Sequence, residues 1–330
     1  MKTIQSKVLK DFIYPDILHP FIPKDEFILF DIETTGLSHT QSEVILIGYI
    51  LFDGEDYVLH QIFCENRTEE KQLLKTFSNA LEDKSYYISF NGRAFDIPYT
   101  NSRYKHHGIQ TEMNKSCNLD IMRLVKQNKD YFQFEDFKLK TVEKFLNIER
   151  EDTISGKESV ELYNQYESTP TPELEHKILL HNYEDILYLM RCLEIVNHVK
   201  PSTLYKECPL SIPYKNQSFI IEDAFIKGDK LHVQIFAPQY SDKDYHDFIS
   251  HVTKSYNVNT KYLDLTFPLF TLHVDQIKYQ FVDTDLLELE DILFNDLTYQ
   301  SKLNYLISES RKLMHQNIYR LVLQQFEVFQ

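Results

Sequence analysis

The apolar positions fall into two kinds of pattern. Phe27-Ile28-Leu29-Phe30-Asp31-Ile32-Glu33 is a dense run that ends in acids, and Thr34-Thr35-Gly36-Leu37 turns the chain after it. Glu43 to Phe52 is a second run, rich in β-branched residues; Asp53-Gly54 is a hairpin signal, and Tyr57 to Cys64 alternates as a third strand. Leu73, Leu74, Phe77 and Leu81 recur at helical spacing and predict a helix over 68–82. Tyr86 to Phe90 predicts a fourth strand ending at Asn91-Gly92, with a helix from about Phe95. Asn118 to Ile121 predicts a short fifth strand. Several helices then lead to a long one over Pro172 to Val199, marked by Leu179, Leu180, Ile186, Leu187, Leu189 and Leu193.

A three-strand meander followed by strands alternating with helices predicts an α/β fold, a mixed five-stranded sheet flanked by helices. Residues 1–26, with Pro15, Pro20 and Pro23, read as an N-terminal arm or short helix. Residues 27–200 form the main domain, and Pro201 and Pro209 mark the boundary after the long helix. Beyond it, Phe219 to Phe225 and Leu231 to Phe236 read as a hairpin around Gly228-Asp229, with more short strands to about Val282 and two closing helices. Residues 205–330 are therefore a smaller C-terminal α+β domain, with no motif that states its role.

Composition narrows the partners. The 330 residues are 42% hydrophobic, enough for one large core and a smaller one. The net charge of −15 argues against a protein that coats duplex DNA by bulk attraction to phosphate. It does not oppose a site that reaches phosphate through divalent cations, which invert the local charge. Cys64, Cys117, Cys192 and Cys208 show no C-x-x-C spacing, so neither a zinc knuckle nor a redox pair is expected. With no signal-peptide pattern and no membrane-length apolar run, the chain reads as soluble and cytoplasmic, without a membrane partner.

Three acidic elements carry the candidate chemistry. Asp31 and Glu33 lie two apart on a strand, so both carboxylates leave the same face. Asp96 closes Asn91-Gly92-Arg93-Ala94-Phe95-Asp96, between a strand and a helix. His181 and Asp185 are four apart and share one face of the long helix. Each has an ordinary reading when alone: a solvated strand end, an acid favoured by a helix dipole, and a surface ion pair. Hard cations prefer oxygen donors, which gives the three together a common purpose.

In that order, D-x-E, then D, then H-x-x-x-D, the chain resembles the DEDD superfamily of exonucleases on the ribonuclease H-like fold. Phe30 to Leu37 is similar to that family's first motif and Asn91 to Asp96 to its second. His181-Asn182-Tyr183-Glu184-Asp185 is similar to the third motif of the YprB-like branch. That branch's middle segment is resembled by Leu139-Lys140-Thr141-Val142-Glu143, Arg150 and Gly156. Typical members with a catalytic His place it five residues before the last Asp; the spacing of four here matches the YprB-like branch. The resemblance covers about residues 27–200.

The resemblance implies a metal-dependent 3′→5′ exonuclease with two divalent cations, Mg²⁺ or Mn²⁺. Asp31 would bridge them, Glu33 and Asp185 would complete one shell, and Asp96 would hold the other. His181 would be the general base. Thr34, Thr35, Gly36 and Leu37 would lie beside the terminal nucleotide or form a plain turn, and Asn91 would touch substrate or cap the next helix. Asp120 matches a recurrent structural acid and is left outside the metal site. Asn182 would hold its helix to a neighbour. Lys138, Lys140, Arg150 and Lys157 form a sparse basic set, read as phosphate contacts or, better, as solvated surface. The implied partner is nucleic acid, DNA over RNA, in repair and beside a helicase. An RNA-processing exonuclease and a non-catalytic scaffold are the alternatives.

Overall fold

A computed structural model describes residues 1–8, 12–150, 154–215, 217–287, 304–310 and 312–327. The chain divides into two compact units, Met1–Cys208 and Pro209–Gln330.

In the first unit the strands are β1 (Lys2–Val8), β2 (Phe27–Thr34), β3 (Val44–Phe52), β4 (Tyr57–Phe63), β5 (Tyr86–Ser89) and β6 (Asn118–Asp120). They form one mixed sheet in the order β1-β4-β3-β2-β5-β6. The β2-β3-β4 meander and the β1–β4 pair are antiparallel, whereas β2–β5 and β5–β6 are parallel. The sheet thus has six strands, not five. The sixth comes from the segment read as an arm: β1 runs along β4 with Ile4 opposite Gln61. An edge strand needs little apolar surface, and this one shows only Ile4 and Val8.

The helices are α1 (Glu70–Ala80), α2 (Asp96–His107), α3 (Ile121–Gln127), α4 (Lys129–Phe132), α5 (Leu139–Phe145), α6 (Gly156–Ser168), α7 (Pro172–Arg191) and α8 (Pro201–Glu207). Their ends are set locally. Ser155 and Glu158 make a reciprocal capping box at α6, and the Thr171 side chain accepts the Leu174 N–H ahead of Pro172, starting α7. The long helix ends sooner than its apolar periodicity predicts; Cys192–His198 continues as a 3₁₀ helix.

Helices cover both faces of the sheet, so β2 and β3 are almost wholly buried. On one face Phe77 of α1 packs against Phe30 and Tyr49, with ring centroids at 5.5 and 5.7 Å. On the other, Tyr163 and Tyr166 of α6 and Ile178 of α7 pack on Ile45, Leu46 and Phe63. The alternation of β2 therefore sends Phe30 toward α1 and its neighbour Asp31 toward α7.

The second unit holds β7 (Leu210–Tyr214), β8 (Gln217–Lys227), β9 (Lys230–Phe236), β10 (Tyr245–Ile249), β11 (Val252–Asn257), β12 (Tyr262–Pro268), β13 (Phe270–Val274), β14 (Ile277–Asp283), β15 (Asn304–Glu309), β16 (Lys312–Leu313) and α9 (His315–Glu327). These build a six-stranded sheet, β10-β11-β12-β9-β8-β7, and a four-stranded one, β13-β14-β15-β16. The β8–β9 hairpin turns at Gly228, whose φ of +65° suits glycine. Alternate residues Leu231, Val233 and Ile235 of β9 and Leu263, Leu265 and Phe267 of β12 share a core with Ile318, Leu321 and Val322 of α9. Two closing helices were expected; among the described residues there is one, and 288–303 lie outside them.

Candidate active site

The carboxyl end of β2 supplies Asp31 and Glu33. Pairing with β3 shifts register between Glu33 and Thr34, an irregularity of the kind that re-aims side chains beside sites. Asp31 lies opposite Gly48 of β3, and Gly48 lies opposite Gln61 of β4. These three positions face α7. A Cβ on Gly48 would come within 2.8 Å of Ile186 Cγ1 and 2.9 Å of Asn182 Cγ, and closer still to Asn182 Oδ1. Only glycine lets α7 approach this near. Gln61 Nε2 donates to Leu179 O at 2.9 Å and to Asn182 Oδ1 at 3.0 Å; Asn182 Nδ2 then reaches Asp31 Oδ2 at 3.5 Å. Asn182 is fully buried, so this chain of amides fixes the helix against the acid.

The same helix delivers His181 and Asp185. His181 Nε2 stands 3.5 Å from Glu33 Oε1 and 3.6 Å from Asp185 Oδ2, and His181 is 4% exposed. Donor atoms of Glu33, His181 and Asp185 lie within 4.8 Å of one another. Asp31 and Asp96 stand outside that tight trio but within its electric field. Asp96 opens α2, is buried, and accepts the Ile32 N–H at 3.2 Å, which ties it between the two acids of β2.

The turn that brings Asp96 in is held from below. Asn91 has φ +67°, and its carbonyl accepts the Ala94 and Phe95 N–H groups. Its side chain does not cap α2, whose N-cap residue is Phe95 and which has no side-chain cap. Gly92 sits over Ser89, where a Cβ would collide with the side chain. Asp120 accepts the N–H groups of Asn91 at 2.9 Å and Arg93 at 3.2 Å, and also caps α3. It is a structural brace for the turn.

Removal from bulk water raises the pKa of all three strand and turn acids. For Asp31 burial is joined by the charges of Asp96, Asp185 and Glu33, and its carboxyl is pushed well above the usual range. Glu33 is pushed up to about 7 by burial, against the opposing pull of His181. Asp96 is pushed up to about 7 by burial, although the Ile32 N–H favours its charged form. Carboxylates arranged like this disfavour their own ionisation unless positive charge is added. Their oxygens make a donor set suited to a hard divalent cation, with the His181 nitrogen beside them.

The following loop is bonded into the fold up to Gly36. Thr34 Oγ1 donates to Gly36 O at 2.9 Å, Tyr99 Oη donates to the same oxygen at 3.1 Å, and Thr35 Oγ1 donates to Glu43 Oε2 at 2.8 Å. Leu37 is left 86% exposed. Beneath the loop, buried Glu70 accepts the Val44 N–H at 2.8 Å and two Arg103 nitrogens at 2.7 and 2.5 Å.

Two supporting residues, Gly48 and Gln61, carry no sequence signal, and Glu143 and Arg150 stand out in sequence only as parts of the resembled middle segment. Arg150 is not a solvated surface charge. Its side chain is 8% exposed, and Nη1 donates to Asp185 Oδ1 at 2.7 Å while Nη2 donates to Glu143 Oε1 at 2.5 Å. Lys138, Lys140 and Lys157 are exposed.

No curated protein matches the chain. Among solved structures, the family B DNA polymerase from the hyperthermophilic archaeon Pyrobaculum calidifontis is similar with a TM-score of 0.40 and 16% identity, over 65% of this chain and 34% of that one. An ExoI/SSB-Ct complex is similar with a TM-score of 0.31 and 11% identity, over 65% of this chain and 56% of that one. The sequence model of the RNase_H superfamily matches residues 28–197, which run from β2 through the 3₁₀ helix after α7 and include every acid of the site. The chain belongs to the RNase H superfamily.

Proposed function

We propose that the protein is a metal-dependent 3′→5′ exonuclease that hydrolyses phosphodiester bonds in DNA, at single strands or 3′ ends, in repair. Membership of the RNase H superfamily and the buried acid cluster support a nuclease hydrolase. One observation carries the reading: β2 and α7, distant in sequence, set Glu33, His181 and Asp185 within 4.8 Å beside acids whose ionisation burial opposes. A protein gains nothing in stability from such a cluster without cations.

Asp31, Glu33, Asp96 and Asp185 would hold two divalent ions, Mg²⁺ or Mn²⁺. When bound, such ions polarise phosphoryl oxygens and make water a stronger nucleophile. His181 Nε2 accepts the proton that the attacking water gives up. The imidazolium formed then lies 3.5 Å from Glu33 Oε1 and 3.6 Å from Asp185 Oδ2, so both carboxylates stabilise it. Asp31 is steadied by Asn182 and does no proton transfer. Exposed Leu37 meets the terminal base, with Thr34, Thr35 and Gly36 shaping the loop behind it, and Asn91 contacts the substrate.

The test uses the full chain with end-labelled single-stranded DNA, duplex DNA and RNA, in Mg²⁺, Mn²⁺ or chelator. Shortening of single-stranded DNA from its 3′ end in Mn²⁺, abolished by chelator and by Asp31→Asn, is the expected result. Activity that survives Asp31→Asn contradicts the site. Preference for RNA replaces the substrate class, and absence of any Asp31-dependent Mn²⁺ binding makes the chain a scaffold.

A further inference from the structure

We propose that Arg150 is a positioning residue: with Glu143 it clamps one oxygen of Asp185, so that Asp185 offers only the other to the site. This rests on the reading of Asp185 as a cation ligand.

The guanidinium is held on three sides. Glu143, 2% exposed on α5, takes Nη2; Asp185 on α7 takes Nη1; and the Tyr188 ring, one turn beyond Asp185, lies 5.5 Å from the guanidinium carbon. A planar fork with fixed N–H spacing holds two carboxylates at set positions in its own plane, a direction that an ammonium, whose donors rotate, does not impose. The two oxygens of Asp185 therefore differ in role. Oδ1 accepts from Arg150 at 2.7 Å, whereas Oδ2 is the atom 3.6 Å from His181 Nε2. The clamp fixes the carboxylate plane and turns one oxygen toward Glu33 and His181. Asp185 would then bind a cation through one oxygen and not as a chelating pair.

A purely structural ion pair between α5 and α7 makes the opposite prediction about metal affinity. Arg150 puts a positive charge beside a cation site. If charge were its only influence there, removing it would tighten Mn²⁺ binding. If it orients a ligand, removing it weakens binding, since the groups that hydrogen-bond a ligating side chain are typically worth about 10–100-fold in metal affinity.

The experiment is calorimetric titration of the full chain with Mn²⁺, alongside thermal melts. Arg150→Ala and Arg150→Lys are both expected to weaken binding by about 10–100-fold, because the lysine keeps the charge but not the fork. Glu143→Gln, which leaves an acceptor for Arg150, is expected to fall between them and wild type. At saturating Mn²⁺, Arg150→Lys should lower kcat more than it raises KM. If Arg150→Ala does not fold, Arg150→Lys and Glu143→Gln carry the test. Binding as tight as wild type or tighter, in a variant that melts cooperatively, overturns the proposal. Asp31→Asn separates the two readings: if it leaves Mn²⁺ binding unchanged the cation site itself fails, and if it abolishes binding while the Arg150 variants do not weaken it only the clamp fails.

Discussion

Gly48→Ala isolates the packing that assembles the site, because it adds a single methyl and changes no charge. The new Cβ would stand 2.8 Å from Ile186 Cγ1, where ordinary contact begins at 3.4 Å, so α7 must retreat by about 0.6 Å there. The required movement is larger at Asn182 Oδ1. Rotating Asn182 out of the way instead breaks its bonds to Gln61 and Asp31. Retreat of α7 displaces His181 and Asp185 from Glu33, and a misplacement approaching 1 Å is worth on the order of a hundredfold in rate. Overpacking a full core site also costs about 1–3 kcal/mol of stability. The assay is single-turnover degradation of end-labelled single-stranded DNA at saturating Mn²⁺, with a melt of the same preparation. The double variant Gly48→Ala/Asn182→Ala relieves the clash at Asn182 but leaves that at Ile186, so it should recover stability better than activity. A Gly48→Ala protein with wild-type rate and melting temperature would refute the claim that close approach of α7 builds the site.

Further outcomes follow from the same geometry. His181→Ala should lower the rate by about a hundredfold or more while leaving Mn²⁺ binding measurable; near-wild-type turnover removes His181 from proton transfer. Folded Glu33 and Asp96 keep protons that the unfolded chain releases near pH 4, so their contribution to stability is full below that pH and is lost as pH rises through about 7. Melting temperature in chelator should therefore fall between pH 5 and 8, and Mn²⁺ should restore it at pH 8 but hardly at pH 5; a melt indifferent to Mn²⁺ at pH 8 contradicts this. Arg103→Met strips the fork from Glu70, in a pair whose side chains are 5% and 2% exposed, and should cost about 3 kcal/mol. That corresponds to a fall of roughly 10 °C in a scanning melt of this unit, and an unchanged melt would show the pair to be idle.

The acids were legible because each sits in a short contiguous pattern on or beside a regular element, and the period of that element fixes their common direction. Asp31 and Glu33 needed only strand alternation; His181 and Asp185 needed only a helical turn. The supports were not legible. Gly48 is one glycine in an apolar run, and its meaning lies in what α7 brings opposite it. Gln61 reads as an ordinary polar residue of a half-exposed strand until β1 and α7 cover it. Arg150 sits among exposed lysines in sequence, and only the convergence of α5 with α7 buries it. Asn182 was read as a link between its helix and a neighbour, and it bonds to Gln61 and Asp31. On the fold, β1 escaped notice because an edge strand with two apolar residues leaves almost no trace in hydropathy.

The bond from Asn182 to Asp31 spans 151 positions of the chain. During synthesis, β2 and its acids leave the ribosome long before the helix that faces them exists. A nascent chain, or a fragment cut anywhere ahead of α7, carries Asp31 and Glu33 on an uncovered sheet with no partner across from them. The site proposed above therefore cannot be assembled until nearly the whole first unit has been made.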